Sequence, residues 1–193
     1  MRLFVLTRHG QSTLNLSGHI NGDPTLDIRL TELGENEAHR LGLELAHVPL
    51  ELCVHTRYPR TRQTAELALA GRDIPLREEP LLDDIAVGEL EGATHEEYRA
   101  WKLEHVRDDA FPGGESLNDA ARRYARGLRA VLEDPAAGVL VVCHEIPVRY
   151  ALNAASDSHE LDGPARAIAN ATPYLFDEES LARAADRIET LAR

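Results

Sequence analysis

Residues 139–143, Val-Leu-Val-Val-Cys, form an unbroken apolar run directly after Gly138. A strand with one solvated face alternates apolar and polar residues. A run with no polar position reads instead as a strand covered on both faces, and such strands belong to parallel sheets flanked by helices. The rest of the chain supplies the partners. Residues 2–7 and 50–54 read as strands, 74–76 as a short edge strand and 174–176 as a last one. Helical segments alternate with them. Thr31 reads as the N-cap of a helix to about Ala46, and Pro59 occupies the first turn of a helix that stops near Gly71. Thr94 caps a helix through Trp101, Ser116 caps one over 117–132, Pro147 suits the first turn of another, and 178–191 form a terminal helix. The stretch 11–30, rich in Gly, Asn and Asp, reads as a loop, as do 78–91 and 156–166. This order predicts a three-layer α/β/α sandwich with a mainly parallel central sheet. With no internal repeat or linker, residues 1–193 form a single domain, long enough to bury roughly 70% of the unfolded surface.

Two of the apolar runs end in a histidine. Residues 3–7 lead into Arg8-His9-Gly10, and 139–143 lead into His144. Ligands of open α/β sheets bind beyond the carboxyl ends of the strands, so a parallel sheet brings both imidazoles to one edge. Gly10 lets the backbone turn sharply there and approach a bound group closely. Arg57, Arg60 and Arg62 follow the second strand, and a planar guanidinium on the first turn of that helix suits phosphate oxygens. Two histidines, at least two arginines and helix N-termini favour a dianionic phosphoryl group.

Charge narrows the partners. Twenty-one basic side chains against 33 acidic ones leave a net charge of −12, which argues against nucleic acid or an anionic membrane surface. An anionic substrate therefore needs a local cluster of cations. No apolar run reaches the roughly 18–20 residues of a membrane span, and the N-terminus lacks the features of a signal peptide, so a cytoplasmic location is expected. Cys53 and Cys143 both fall in apolar runs and read as buried reduced thiols. The nine histidines show no HExxH pattern and no paired cysteines, so no metal site is expected.

Taken together, these residues resemble the histidine phosphatase superfamily, the phosphoglycerate mutase-like family, from Arg8 to about Phe176. Arg8-His9-Gly10-Gln11-Ser12 with Asn15 is similar to the signature R-H-G-[QE]-[ST]-x-x-N, and Leu30-Thr31-Glu32-Leu33-Gly34 to its L-T-x-x-G helix start. His55 to Glu66 lies over S-S-x-L-x-R-A-x-Q-T-A-E, with Arg60 as the second phosphate arginine. Leu82 to Gly92 resembles L-x-E-x-x-x-G-x-x-E-G, Gly113 to Ser116 the turn G-G-E-S, and Val141 to His144 the segment V-V-S-H. Six ordered motifs at compatible spacings are a specific signal, where R-H-G alone is a weak one.

The resemblance implies a metal-independent phosphomonoesterase that needs no organic cofactor and acts on a small phosphorylated metabolite. It casts His9 as the nucleophile, Arg8, Arg60 and His144 as ligands of the phosphoryl oxygens, and Asn15 as a further donor. A neutral imidazole suits the nucleophile's part, with its other ring nitrogen donating to a nearby carbonyl. Asp84 stands where the family usually has a glutamate proton donor, with Asp83 as the adjacent candidate. Repulsion among Asp83, Asp84, Glu89 and Glu91 is expected to raise the acid's pKa. Glu145 and Ile146 replace two glycines beside the second histidine; Glu145 either points to a substrate whose leaving group is neutral or cationic or, the favoured use, pairs with a neighbouring arginine. His55 and Thr56 replace two serines, and His55 is a possible third imidazole at the rim. The other histidines, His19 and His95 among them, read as surface residues, and Tyr98 with Trp101 either line the substrate mouth or, as an apolar pair at helical spacing more often does, belong to the core. A phosphoglycerate mutase is the alternative activity, but the interval from Asp84 to His144 is short and holds few cations. A catalytically weak phosphate-binding or scaffold protein is the alternative without turnover. The chain leaves monomer and homodimer equally open.

Overall fold

The structure, a computed structural model, describes residues 2–193. In chain order its elements are β1 (Leu3–Arg8), α1 (Thr13–Ser17), α2 (Glu32–Glu44), β2 (Leu52–His55), α3 (Pro59–Ala68), β3 (Leu76–Glu78), α4 (His95–Glu104), α5 (Leu117–Leu132), β4 (Gly138–Cys143), α6 (Glu145–Ala155), β5 (Tyr174–Asp177) and α7 (Glu178–Leu191). Short 3₁₀ turns at Pro80–Leu82 and Gly88–Leu90 punctuate the segment before α4. The sheet order is β3-β2-β4-β1-β5. All neighbours are parallel except β1 and β5.

The apolar run at 139–143 lies at the centre of this sheet, between β2 and β1, and every residue of β4 is buried. Side chains along a strand point alternately to opposite faces, and here each face has its own core. Phe4, Leu6, Val139 and Val141 pack with Tyr124 and Leu128 of α5, Tyr150 of α6 and Ile188 of α7. Val5, Leu140 and Val142 face the other way, toward Leu41 of α2 and Ala65 of α3. At roughly 1.5–3 kcal/mol for each large apolar side chain taken out of water, these two layers are what hold the sheet between its helices.

Caps set the helix starts. Thr31, Thr94 and Ser116 each accept a backbone N–H of the first turn through the side-chain oxygen, and Pro59 begins α3 with no donor to lose. Strand limits differ from the sequence expectation by up to two residues. The segment 11–30 is not wholly a loop: Ser12 and Asn15 form a reciprocal capping box that nucleates the single turn of α1. No helix among the described residues is long and apolar enough to cross a membrane. Cys53 and Cys143 are buried and unpaired.

Candidate active site

The register of the sheet decides where the histidines meet. Arg8 pairs with Cys143 across the parallel β1–β4 ladder, so the next residue on each strand, His9 and His144, leaves the sheet at the same edge. The His9 backbone N–H donates to the Cys143 carbonyl at 3.0 Å, and the two rings sit edge to face with centroids 5.4 Å apart. Both side chains are buried.

Hydrogen bonds set the protonation of His9. Nδ1 is 2.7 Å from the Gly10 carbonyl oxygen, and a carbonyl only accepts, so Nδ1 carries the proton. The lone pair is then on Nε2, where Arg60 Nε–H donates to it at 3.0 Å. Burial, followed by the charges of Arg60 and Arg8, holds the His9 pKa well below the ordinary histidine value, against the opposing pull of the Gly10 carbonyl. His9 is neutral near pH 7, and its Nε2 lone pair faces the site with Arg60 as its hydrogen-bond donor.

His144 is tied differently. Thr61 Oγ1 donates to the Tyr58 carbonyl at 2.8 Å and lies 2.9 Å from Thr56 Oγ1. Thr56 Oγ1 in turn lies 2.9 Å from His144 Nε2. With the Thr61 proton committed to a carbonyl, Thr56 donates to Thr61 and accepts from His144 Nε2–H. The Nδ1 edge of His144 is left to face Arg60 Nη2 at 3.3 Å and Asp84 Oδ2 at 3.4 Å. Burial and the charge of Arg60 lower the His144 pKa well below its usual value. The Thr56 substitution thus serves the second histidine. His55 does not reach the site: it is buried on β2, Nδ1 is held by the Thr56 carbonyl at 2.7 Å, and it is absent from the cavity wall.

Arg60, buried on the first turn of α3, spans both imidazoles and carries Asp84 at 3.4 Å. Its outer edge is held by Asn21, whose Oδ1 and carbonyl both accept from the guanidinium. Glu91 holds Asn21 and Gly22 at 2.8 and 2.6 Å. Neither Asn21 nor the service of Glu91 was expected from the sequence, because loop 18–30 carries no periodic signal. Arg8 Nη1 donates to the Ile168 carbonyl at 3.0 Å and pairs with Glu145 Oε2 at 2.8 Å, while its Nε is buried without a partner. Glu145 also meets Arg149 at 3.2 Å. The charge that replaces glycine beside His144 is therefore an arginine clamp at the start of α6.

The two aspartates separate cleanly. Asp83 faces Arg57, which donates to it from the backbone at 3.0 Å and from Nε at 2.5 Å. Asp84 turns inward to Arg60 and His144. Burial raises the Asp84 pKa, opposed by Arg60. This corrects the expected cause: among nearby carboxylates it is Glu145 that adds to the rise, while Glu91 is spent on Asn21. Arg123 of α5 donates to the carbonyls of Leu81, Asp83 and Asp84 at 3.0, 2.9 and 3.2 Å, which pins the loop that presents Asp84.

One sequence expectation needs correction. Gly10 approaches protein rather than a bound group: its N–H donates to Thr64 Oγ1 at 3.0 Å, and a Cβ there would lie 2.4 Å from the Gly34 carbonyl oxygen of α2. The Thr-x-x-Gly start of α2 and the Gln63-Thr64 pair thus latch the turn that carries His9. Gly10→Ala is expected to cost roughly 1–3 kcal/mol through displaced backbone, read as a lower urea midpoint with unchanged slope. Asn15 lines the cavity, but its Oδ1 is committed to the Ser12 N–H at 3.1 Å, so only its amide NH₂ faces outward as a donor.

These groups form the floor of a cavity of about 1100 Å³. Its walls hold His19 and His95, which the sequence reading left on the surface, and Tyr98 but not Trp101 of the pair weighed between mouth and core. Tyr98 does both, lining the cavity and stacking on Phe111 at 5.5 Å, whereas Trp101 packs on Phe111 and His105 behind it. A further wall comes from residues 160–170, which the Arg8–Asn170 bridge and the Asn170 Nδ2 bond to the His9 carbonyl, at 2.7 Å, draw over the strand end.

The profile of the histidine phosphatase superfamily (branch 1) matches residues 4–189. The chain belongs to this superfamily. It is 34% identical over 165 residues to 2,3-bisphosphoglycerate-dependent phosphoglycerate mutase 2 of Gloeobacter violaceus, covering 79% of this chain and 74% of that one. It is 33% identical over 156 residues to the adenosylcobalamin/alpha-ribazole phosphatase of Salmonella typhimurium, covering 75% and 74%. The crystal structure of the alpha-ribazole phosphatase from Shigella flexneri shares the fold, with a TM-score of 0.79 at 22% identity over 91% of this chain and 90% of that one. Members of both kinds, mutase and phosphatase, are thus similar to this chain to the same degree.

Proposed function

We propose that this member of the superfamily is a phosphomonoesterase that hydrolyses a small phosphorylated metabolite through a phosphohistidine on His9. One observation carries the reading: the Gly10 carbonyl holds the proton on Nδ1 and leaves the Nε2 lone pair in a cluster of Arg60, Arg8 and His144. In the first step Nε2 attacks phosphorus, the P–O ester bond breaks, and Asp84 gives its proton to the departing alkoxide oxygen. Arg8 and Arg60 hold the equatorial oxygens, whose charge the transition state spreads between them, and His144 joins them when the phosphoryl dianion draws a proton onto its Nδ1. In the second step water attacks phosphorus, the carboxylate of Asp84 takes its proton, and the N–P bond electrons return to Nε2. Glu145 shares Arg8 with the incoming phosphoryl group and lowers its affinity for free phosphate, which favours product release.

Phosphatase is preferred over mutase because a mutase must hold the phosphohistidine against water until a second acceptor binds, and this cavity is wide and open to solvent-exposed side chains such as Arg99 and Arg166. The test follows the fate of the phosphoryl group. With p-nitrophenyl phosphate and a panel of sugar phosphates, stoichiometric release of inorganic phosphate is expected, with an acid-labile, base-stable label on His9 in quenched reactions. Transfer from 2,3-bisphosphoglycerate to a monophosphoglycerate without net phosphate release would replace the reading with the mutase. No release above a His9→Ala control, with phosphate still bound, would leave a binding protein.

A further inference from the structure

The chain has far more acidic than basic side chains, 33 against 21, and most of its arginines are used up in ion pairs. Arg2, Arg8, Arg57, Arg60, Arg107 and Arg123 all have a carboxylate within 4.0 Å. Unpaired cations are therefore unusual in this molecule, and three of them, Arg99, Lys102 and Arg166, line the same cavity. Lys102 is the only lysine in the sequence. It is half-buried, and its Nζ lies 5.1 Å over the Tyr98 ring with no carboxylate in bonding distance.

Helical geometry gathers these groups. His95, Tyr98, Arg99 and Lys102 stand at positions i, i+3, i+4 and i+7 of α4 and share one face. Their span along the axis is about 10 Å at 1.5 Å per residue. Facing them, Arg149 of α6 lends one nitrogen to Glu145 and another to Asp162 at 3.0 Å. Two donors of this wall have no partner among the described residues: Tyr98 Oη and Arg149 Nε are buried without a hydrogen bond. Burial raises the Tyr98 pKa, so its hydroxyl keeps its proton and remains a donor. Away from the phosphoryl floor the mouth thus holds four cations, Arg99, Lys102, Arg149 and Arg166, against three carboxylates, Glu145, Glu160 and Asp162. Asp162 is already engaged by Arg107 as well as Arg149.

We infer that the mouth of the cavity is a second anion subsite, and that the leaving group of the natural substrate carries its own carboxylate or phosphoryl group, held by Lys102 and Arg99 beside Tyr98. An unpaired cation that a protein keeps half-buried is costly unless a ligand completes it, and a cluster in which unpaired donors outnumber unpaired acceptors favours an anion. This inference rests on the phosphoryl-transfer reading of the same cavity and specifies its substrate class. The subsite acts on binding rather than on the reacting atoms, since it grips the part of the substrate that leaves.

The test compares three kinds of ester with the full chain: glycerol 2-phosphate, whose leaving group is neutral; a phosphoglycerate, which adds a carboxylate; and fructose 1,6-bisphosphate, which adds a phosphoryl group. Hydrolysis of one or both anion-bearing esters at a kcat/KM at least tenfold above glycerol 2-phosphate is expected, and which of the two gains identifies the anion. Lys102→Met and Arg99→Ala are expected to erase that gain mainly through KM, while kcat/KM for p-nitrophenyl phosphate changes less than twofold. Equal rates on all three esters, or equal losses on every ester in both variants, overturn the second subsite but leave phosphatase activity standing. Absence of hydrolysis of any ester, p-nitrophenyl phosphate included, overturns the phosphoryl-transfer reading and this inference with it.

Discussion

Replacing His9 with alanine is expected to lower turnover of every phosphate ester by on the order of 10⁴-fold or more, the scale seen when a covalent nucleophile is lost. The loss is independent of the leaving group, because without Nε2 no phosphoenzyme forms and neither half-reaction is available. Single-turnover quench with labelled substrate checks this directly: the acid-labile label present in the parent chain disappears. Folding is expected to survive, since His9 contributes one side-chain bond to its neighbour's carbonyl, at 2.7 Å, and one acceptor to Arg60, at 3.0 Å. Phosphate is expected to bind the variant still, through Arg8, Arg60 and His144. A His9→Ala chain that keeps more than a hundredth of the activity would mean that water attacks the substrate directly and that His9 only positions it.

Asp84→Asn separates acid catalysis from electrostatics. Positioned proton donors contribute about 10²–10⁴-fold when the leaving group is a poor one. Alkyl phosphates are therefore expected to lose activity by about that factor, whereas p-nitrophenyl phosphate, whose phenolate leaves without a proton, loses far less. Equal losses on both esters count against the role. The pH profile supplies an independent reading. Burial lowers the pKa of His9 and raises that of Asp84, so the active form, neutral His9 with protonated Asp84, is lost on two sides. As pH falls, His9 takes up a proton below the ordinary histidine range and the rate drops. As pH rises through the elevated pKa of Asp84, the acid loses its proton and the rate drops again. The amide of Asp84→Asn does not titrate, so the alkaline limb that alkyl esters show is expected to be missing from the residual activity of the variant while the acid limb stays. Comparison on the same ester cancels the ionisation of the substrate itself.

The Arg8–Glu145 pair bears on both experiments. At 2.8 Å the carboxylate occupies one side of a guanidinium that the phosphoryl group needs. The family's glycines would leave that side empty. The pair is compatible with turnover because Arg60, held by Asn21 and a backbone carbonyl rather than by a full ion pair at short range, remains free to move its charge toward phosphorus.

How far the chain could be read without coordinates varies by residue for physical reasons. His9 and His144 were readable because strand-end position follows from an apolar run, and a parallel register then leaves no choice of edge. Arg60 was readable from a proline-started helix at the same edge. Asp84 was readable only as one of two, since adjacent residues on an irregular loop point in directions that no periodicity sets. Three bonds from Arg123 to loop carbonyls, 40 residues or so away in sequence, decided it. The face of α4 was present in the sequence as His95, Tyr98, Arg99 and Lys102 at helical spacing, but amphipathic spacing does not say whether a polar face meets solvent or a cavity.

Local physics by itself determined the alternation of strands and helices, the caps at Thr31, Thr94 and Ser116, the buried central strand and the two histidines at its edge. These depend on periodicity, side-chain shape and hydrogen bonds within a few residues. Only the tertiary structure decided which tautomer His9 adopts, that Thr56 serves His144, that Gly10 packs against Gly34, that Asp84 rather than Asp83 faces the phosphoryl site, and that three cations are left unpaired at one mouth. Each of those depends on groups far apart in the chain being brought within bonding distance or left out of it, and such distances are properties of packing that no local pattern encodes.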